Sequence, residues 1–442
     1  MKLSAVKVSQ LFFIISFAGA IAVGTMLLRI PFCLPGESAL SWVDAAFTAT
    51  SAVCVTGLLT VQICDLTWLG QLIVLLLIQL GGLGVMALTA SILVMLGGHL
   101  SYGGTLIMST VTDRFSMQGL ENLFRIVLKY TVICEGAGFM ILFPLFWLAD
   151  GFVWYQALWH ALFHAVSAFC NAGFDLMGTN APYSSLTAYA AHPMVNITIM
   201  LLIVIGGIGF LTWQDIYQNG VHIKRYRMQS KVILATTGIL LLVPAVYFFF
   251  FEFSAEPMDR RLLLSLFQSV TPRTAGFNTA DLTAFSETGQ VLTIGLMLIG
   301  GSPGSTAGGM KTTTAAVLIA CAVAVFRRRE NGRYFGRRIA DETVKNAVSV
   351  FLMYISLFLL GGMIISRAEN LPILTSLFET ASAIGTVGLT LGITPGLHLI
   401  SKLILISLMF LGRVGGLTLI FAALSANKNT LSKLPLEKIT VG

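Results

Sequence analysis

Long runs of apolar residues recur along the chain, separated by short polar segments. The runs lie near 9–30, 67–97, 123–148, 194–214, 232–251, 289–326, 346–366 and 397–424. A helix needs about 20 apolar residues to cross a hydrocarbon core about 30 Å thick. The pattern therefore predicts eight membrane crossings. The first run lacks a small-residue cleavage site and is predicted to be a helix, not a signal peptide.

A shorter apolar stretch lies between the two members of each consecutive pair of runs. The four stretches read FTATSAVCVTGLL, FHAVSAFCNAGFD, FQSVTPRTAGFNT and FETASAIGTVGLT. Each begins with Phe and reaches a Gly followed by Leu or Phe; these glycines are Gly57, Gly173, Gly276 and Gly388. The third copy is one residue shorter. Matching positions in four copies indicate an internal repeat.

Each repeat is predicted to consist of a helix, a half-helix, a glycine turn and a second helix. Two crossings return the chain to the same side, so the repeats are parallel and surround an axis along the membrane normal. We place them at 1–98, 99–218, 219–328 and 329–442, the last with a short cytoplasmic tail. The predicted fold class is an all-α integral membrane protein with a pseudo-fourfold central pore.

The composition supports a membrane protein and sets its orientation. Of the 442 residues, 56% are hydrophobic and 11% are charged, with a mean hydropathy of +0.85; a soluble domain has about 25% charged residues. The net charge of +7 comes from basic loops, above all 216–231 and 327–345, so nucleic acid is not expected as a partner. Both termini and these loops are predicted to be cytoplasmic, and the half-helices then enter from outside.

The glycine turns are candidates for an ion filter. Non-helical backbone at membrane depth is tolerated where it lines water or is buried by protein, and carbonyl oxygens can replace the hydration shell of a cation. The candidate residues are Cys54, Val55, Thr56 and Gly57; Cys170, Asn171, Ala172 and Gly173; Arg273, Thr274, Ala275 and Gly276; and Gly385, Thr386, Val387 and Gly388. None is Asp or Glu, which favours a monovalent-cation site over a calcium site. Glycine-containing packing turns are the alternative.

The stretches TSAVCVTGL, SAFCNAGF, TPRTAGF and AIGTVGL resemble the four filter sequences of the Trk/Ktr/HKT potassium transporters. The resemblance covers essentially the whole chain and is greatest to the KtrB membrane subunits. It implies four fused helix–pore–helix units in a bacterial plasma membrane and K⁺ as the transported ion. Na⁺ stays open as a co-ion or competing ion. A serine at the first filter glycine is associated in the family with sodium preference, so Gly57 favours potassium.

The resemblance also implies partners. KtrB-like proteins form homodimers on a cytosolic KtrA-like regulatory ring, where ATP or ADP is expected to bind. The segment ANKNTLSKLPLEKITVG after the last apolar run predicts no nucleotide-binding domain in this chain, so no cofactor is expected on it. The two basic loops could contact such a ring or anionic membrane lipid.

A polar, glycine-rich segment interrupts the apolar run 289–326. It spans residues 300–312, and its candidate gate residues are Gly300, Gly301, Ser302, Pro303, Gly304, Ser305, Thr306, Ala307, Gly308, Gly309 and Lys311. A phosphate-binding loop needs Gly directly before Lys and a preceding strand, and both are missing. Glycine and proline open a helix, and the freed backbone should line the pore beneath the filter. In the related family this loop acts as a gate; a kinked, packed helix is the alternative.

Several polar residues inside apolar segments need an explanation. A cation near the bilayer centre costs at least about 2.5–3.5 kcal/mol, so Arg413 is predicted to be an electrostatic barrier beneath the filter, with structural pairing as the alternative. Arg273 is expected to brace its turn from behind. His160 and His164 lack a third metal ligand and are expected to pack. A disulfide between Cys33 and Cys64 is not favoured.

Three functions compete. Potassium uptake through a gated pore, or the related sodium-permeable channel, is favoured by the four repeats. A coupled secondary transporter would show an inverted repeat and a site lined by side chains. A membrane enzyme would show a nucleophile with its base and orienting group, and no such set is visible.

Overall fold

A computed structural model describes residues 5–37, 39–84, 117–149, 151–178 and 182–415. Within these ranges the chain is predominantly helical. In the first unit the helices are α1 Ala5–Leu28, α2 Trp42–Val53 and α3 Trp68–Leu83. In the second they are α4 Met117–Ala149, α5 Trp154–Phe169, α6 Pro193–Ile208 and α7 Phe210–Asn219.

The third and fourth units follow the same order. The third comprises α8 Met228–Tyr247, α9 Met258–Val270, α10 Glu287–Leu298 and α11 Thr312–Phe326, with a π-helical turn, Phe248–Glu252, after α8. The fourth begins with the hairpin strands β1 Arg333–Tyr334 and β2 Arg337–Arg338 and continues with α12 Asp341–Glu369, α13 Ile373–Gly385 and α14 Leu399–Val414. Short 3₁₀ turns lie at Pro31–Cys33, Pro35–Glu37, Ile63–Asp65, Thr187–Tyr189, Ile223–Arg225, Leu282–Ala284 and Thr394–Gly396.

Hydroxyl side chains begin several of these helices. The Ser41 side chain accepts a bond from the backbone N–H of Asp44 at the start of α2, and Ser286 accepts one from Gly289 at the start of α10. Such caps satisfy backbone donors that the first turn leaves free. They fix where the chain leaves the preceding loop.

Four described helices are long and apolar enough, on length and composition, to span a membrane: α1, α4, α8 with its π-helical turn, and α12. The pair α6 and α7 would make a fifth if it is one span, and α3, α11 and α13 are shorter apolar helices. Two of the predicted apolar runs, 67–97 and 397–424, extend beyond the described ranges. The boundary of the first repeat near residue 98 also lies there. The count of eight crossings therefore stays a prediction.

One apolar run differs from its prediction. The run 194–214, expected as a single helix, is bent by 96° between α6 and α7. The bend is at Gly209, whose φ of +99° lies in the left-handed region that glycine tolerates. The Phe210 N–H donates to the carbonyl of Gly304 in the next unit (2.7 Å). A tertiary contact thus replaces the bond that a continuous helix would have made.

The second helix of each unit packs against the short helix of the next. The pairs are α3 with α5, α6 with α9, α10 with α13, and α14 with α2. The last pair returns to the first unit, so the four units surround one axis in chain order. The Phe residues that open the four repeated stretches are 0–1% exposed and anchor the short helices in the apolar core; they are Phe47, Phe163, Phe267 and Phe378.

Candidate functional site

The four repeated glycines meet around this axis. A Cβ atom built on each would collide with the carbonyl oxygen of the residue before the glycine in another unit. The collisions are Gly57 with Ala172, Gly173 with Ala275, Gly276 with Val387, and Gly388 with Thr56. Each unit thus touches the next, and the fourth touches the first. We call these four glycines and four carbonyl-bearing residues the glycine ring.

The backbone has the same non-helical shape in all four stretches. The residue two positions before each ring glycine has a positive φ: Val55 (+56°), Asn171 (+56°), Thr274 (+69°) and Thr386 (+51°). The glycines themselves have φ between +70° and +97°. A side chain disfavours this region, so four such residues at matching places indicate that the surrounding structure imposes the conformation.

A hydroxyl side chain fastens each stretch to its short helix. Ser51 and Ser382 accept bonds from the N–H of Gly57 (3.1 Å) and Gly388 (3.0 Å). Ser167 donates to the carbonyl of Phe174 (2.7 Å), and Thr271 donates to that of Phe277 (2.5 Å). The sequence analysis did not select these residues, although a Ser or Thr recurs at this place in all four copies.

A cavity of about 380 Å³ opens on one side of the glycine ring and is lined by all four ring glycines. The loops that follow them form its walls, and the carboxyl groups of Asp175 and Asp281 lie among the lining residues. Burial raises the pKa of Asp175 from 3.8 to about 6, against the opposing effect of bonds from the Met177 N–H and Ser185. Asp281 accepts bonds from the Thr283 backbone and hydroxyl.

Arg273 does not occupy the ring itself. Its side chain is 7% exposed, and a guanidinium nitrogen lies 3.4 Å from the Thr237 hydroxyl of α8. The guanidinium lines a small cavity with Asn171 and Gly301. Its backbone belongs to the filter candidates, but its side chain reaches toward the helix behind.

Residues 300–311 break the helical run between α10 and α11, as the sequence predicted, whereas Thr312, the last residue of the predicted segment 300–312, begins α11. The backbone of residues 300–311 is bonded to other units: the Ser302 and Thr306 N–H groups donate to Gly207 and Gly206 (3.0 and 3.3 Å), and Gly309 donates to Gly412 (3.2 Å). The acceptors lie where α6 and α14 end. The loop therefore contacts the second and fourth units where their second helices, α6 and α14, end.

Arg413 joins this loop to the first unit. Its guanidinium donates to the carbonyl of Thr306 in the loop and to those of Gly81 and Gly82 at the end of α3. Among the described residues no carboxylate lies within ion-pairing distance of it. Lys311 closes the loop on itself by donating to Ala307 (2.9 Å) and Gly308 (3.3 Å). Arg413 thus holds the loop through carbonyl dipoles, not through an acidic partner.

The loop lies directly against the filter candidates. The Thr306 hydroxyl donates to the carbonyl of Phe169 at the end of α5 (3.1 Å). A Cβ on Gly308 would collide with the Thr386 hydroxyl, and one on Gly309 would lie 2.7 Å from the Gly385 carbonyl. The predicted gate and the predicted filter are therefore adjacent.

The remaining polar candidates lie in the short helices. Glu379 is fully buried and accepts bonds from the Thr390 and Thr394 hydroxyls and the Leu391 N–H. The His164 ring is bonded to the carbonyl of His160 (2.7 Å). No group of three metal-ligating side chains occurs in the part of the chain that the structure describes. Cys33 and Cys64 are free thiols.

Comparison with known proteins gives this arrangement a context. The model of the TrkH family, described as cation transport protein, matches residues 12–432. The chain is similar to potassium/sodium uptake protein NtpJ of Enterococcus hirae (38% identity; 95% of this chain, 94% of that one). It is also similar to Ktr system potassium uptake protein B of Bacillus subtilis (35% identity; 92% and 91%).

The fold is similar to the crystal structure of the potassium transporter TrkH from Vibrio parahaemolyticus. The TM-score is 0.72 at 22% identity, covering 95% of this chain and 85% of that one. Because the family model matches residues 12–432 and one relative is 38% identical over 95% of this chain, the chain belongs to the TrkH family of cation transport proteins.

Proposed function

We propose that this protein takes up potassium ions through a central pore whose filter is the glycine ring. The observation that carries the proposal is the closed order of contacts, in which each ring glycine meets a carbonyl-bearing residue of the next unit. Carbonyl oxygens of four units facing one axis can replace the hydration shell of a monovalent cation. The filter residues are those selected from the sequence, held in place by Ser51, Ser167, Thr271 and Ser382.

The names of the relatives support this ion. One is named a potassium/sodium uptake protein and another a Ktr potassium uptake protein. The first name also keeps a sodium-permeable pore open as a second candidate. Selectivity in a carbonyl filter depends on the geometry and number of the carbonyls, so flux has to decide between the two ions.

The remaining features complete the proposal. Eight crossings would place both termini and the basic loops in the bacterial cytoplasm. The segment 300–311 with Arg413 would gate the pore beneath the filter. A homodimer resting on a KtrA-like ring that binds ATP or ADP would control it, as the word "system" in the names of Ktr relatives suggests.

The test is cation flux into liposomes that hold only the purified protein, with K⁺ and Na⁺ gradients compared. Gly57→Ser is measured beside the parent, because a side chain there collides with the Ala172 carbonyl. Gly295→Ser is the matched control, since nothing lies within 4 Å of a Cβ at Gly295. We expect potassium-selective flux that falls or shifts toward sodium in Gly57→Ser alone.

Absence of flux in the parent has to be followed by addition of the cytosolic fraction, which would supply a regulatory ring. No cation flux under either condition would overturn the proposal. Equal shifts in both serine variants would mean that the glycine ring does not set selectivity.

A further inference from the structure

Two arginines face each other across the hairpin that precedes α12. β1 and β2 are antiparallel, and Arg333 lies directly opposite Arg338. Phe335 (φ +47°) and Gly336 (φ +77°) form the tight turn between them. Like charges at opposed positions destabilise a strand pair. Among the described residues neither guanidinium has a carboxylate within ion-pairing distance, so folding alone does not explain the pair.

Each of the two arginines lines a separate cavity. A cavity of about 190 Å³ is lined by Arg329, Arg333, Ile319 and Val323. A second, of about 280 Å³, is lined by Arg338, Val232 and Val317. Tyr334 lines both cavities and stands between them, held by a bond from its hydroxyl to the Ala316 carbonyl of α11 (2.8 Å). Each cavity thus combines an arginine of the hairpin with apolar lining residues.

The apolar floor of the first cavity continues onto an exposed face of α11. Ile319 is 59% exposed, Val323 41% and Phe326 84%. An exposed apolar face of this kind on a helix of a membrane protein is suited to contact with lipid. The hairpin folds back along this helix: Tyr334 is bonded to Ala316, and Arg338 lines a cavity with Val317. This arrangement of charge over apolar surface matches an amphiphile with an anionic head.

We propose that the hairpin and α11 bind an anionic phospholipid, with its phosphate between Arg333 and Arg338 and its acyl chains in the cavities on either side of Tyr334. The phosphate supplies the negative charge that the opposed arginines lack within the protein. A membrane lipid is favoured over a cytosolic protein because the floor of the first cavity, Ile319 and Val323, belongs to the exposed apolar face of α11. Basic pockets at the ends of spanning helices bind lipid head groups in this way.

The test measures binding of phosphatidylglycerol and phosphatidylcholine to the full-length purified protein by native mass spectrometry. We expect phosphatidylglycerol to bind the parent, and Arg333→Gln/Arg338→Gln to weaken this binding at least tenfold. The matched control is Arg327→Gln/Arg328→Gln, which removes the same charge from the same basic segment but lines neither cavity; it should bind as the parent does. Val323→Ser should also weaken binding, because it places a hydroxyl group in the apolar lining of the first cavity.

Three results would overturn the proposal. Phosphatidylglycerol binding that survives Arg333→Gln/Arg338→Gln would exclude the arginine pair. Equal losses in the two double variants would mean diffuse charge attraction without a site. Full competition by soluble glycerol phosphate would identify a free phosphate ligand instead of a lipid. The measurement requires no transport, so its outcome is independent of the proposed function.

Discussion

Asp175 lies in the loop after α5 and lines the cavity that opens from the glycine ring. A single carboxylate at about 5 Å attracts a monovalent cation by about 0.8 kcal/mol in water. That energy corresponds to about a fourfold rise in local cation concentration, and salt screens it. Because burial raises the pKa of Asp175 to about 6, this charge is present above pH 6 and lost as pH falls below it.

We therefore expect K⁺ flux at low ionic strength to fall about fourfold between pH 7.5 and pH 5 on the cavity side. An aspartate with an ordinary pKa of 3.8 would stay charged over this range. Asp175→Asn should show the low flux at both pH values. Asp65→Asn, which changes a carboxylate outside the cavity, should keep the dependence of the parent. Unchanged pH dependence in Asp175→Asn would assign the titration to another group.

At the scale of elements, the segment 300–311 is held by bonds from several units, and Arg413 supplies those to Thr306, Gly81 and Gly82. A hydrogen bond from a charged group contributes about 1.5–3 kcal/mol. If the loop closes the pore, Arg413→Ala should raise K⁺ flux about tenfold by freeing it and by removing a repelling charge. Deleting part of the loop should act in the same direction.

K⁺ flux through the Arg413→Ala variant is compared with K⁺ flux through Arg367→Ala, which removes an exposed cation from α12. Both variants are first checked for the elution volume and Tm of the parent. A fall in flux through well-folded Arg413→Ala would favour a structural role for the arginine. Unchanged flux in a well-folded loop deletion would exclude the loop as the gate.

The sequence was sufficient to predict the short helices and the break at 300–311, because both depend on local properties. Apolar runs of limited length, a recurring Gly and a Pro among glycines are visible in the letters. The bend between α6 and α7 was not predicted, because glycines inside an apolar run do not by themselves end a helix. Gly209 permits the bend, and the bond from Phe210 to Gly304, a residue far along the chain, holds it.

The glycines of the candidate site could be predicted from the sequence, whereas the hydroxyl side chains that hold the four stretches could not. Ser51, Ser167, Thr271 and Ser382 are common residue types, and only the fold reveals that each fastens one of the four candidate filter stretches. Arg413 could be selected as a costly charge in an apolar run. Its carbonyl acceptors could not be, since they belong to other units. Cross-unit contacts of this kind are absent from any single stretch of sequence.

At the scale of the whole molecule, the glycine ring closes only when all four units are in place. An ion held there binds the folded chain and not the unfolded one. It therefore stabilises the fold by an amount that grows with the logarithm of the ion concentration divided by Kd. We expect a higher Tm in K⁺ than in choline at equal ionic strength. At a K⁺ concentration of 100 times Kd, the free energy of unfolding rises by about 2.7 kcal/mol.

Gly276 has a φ of +80°, and a Cβ there would lie against the Val387 carbonyl. Gly276→Ala should therefore lower the Tm in choline and abolish the increment from K⁺. Gly238→Ala, where a Cβ meets nothing within 4 Å, should keep the increment. A parent protein with the same Tm in both cations would mean that the ring holds no ion at these concentrations, and an increment that survives in Gly276→Ala would locate the ion elsewhere.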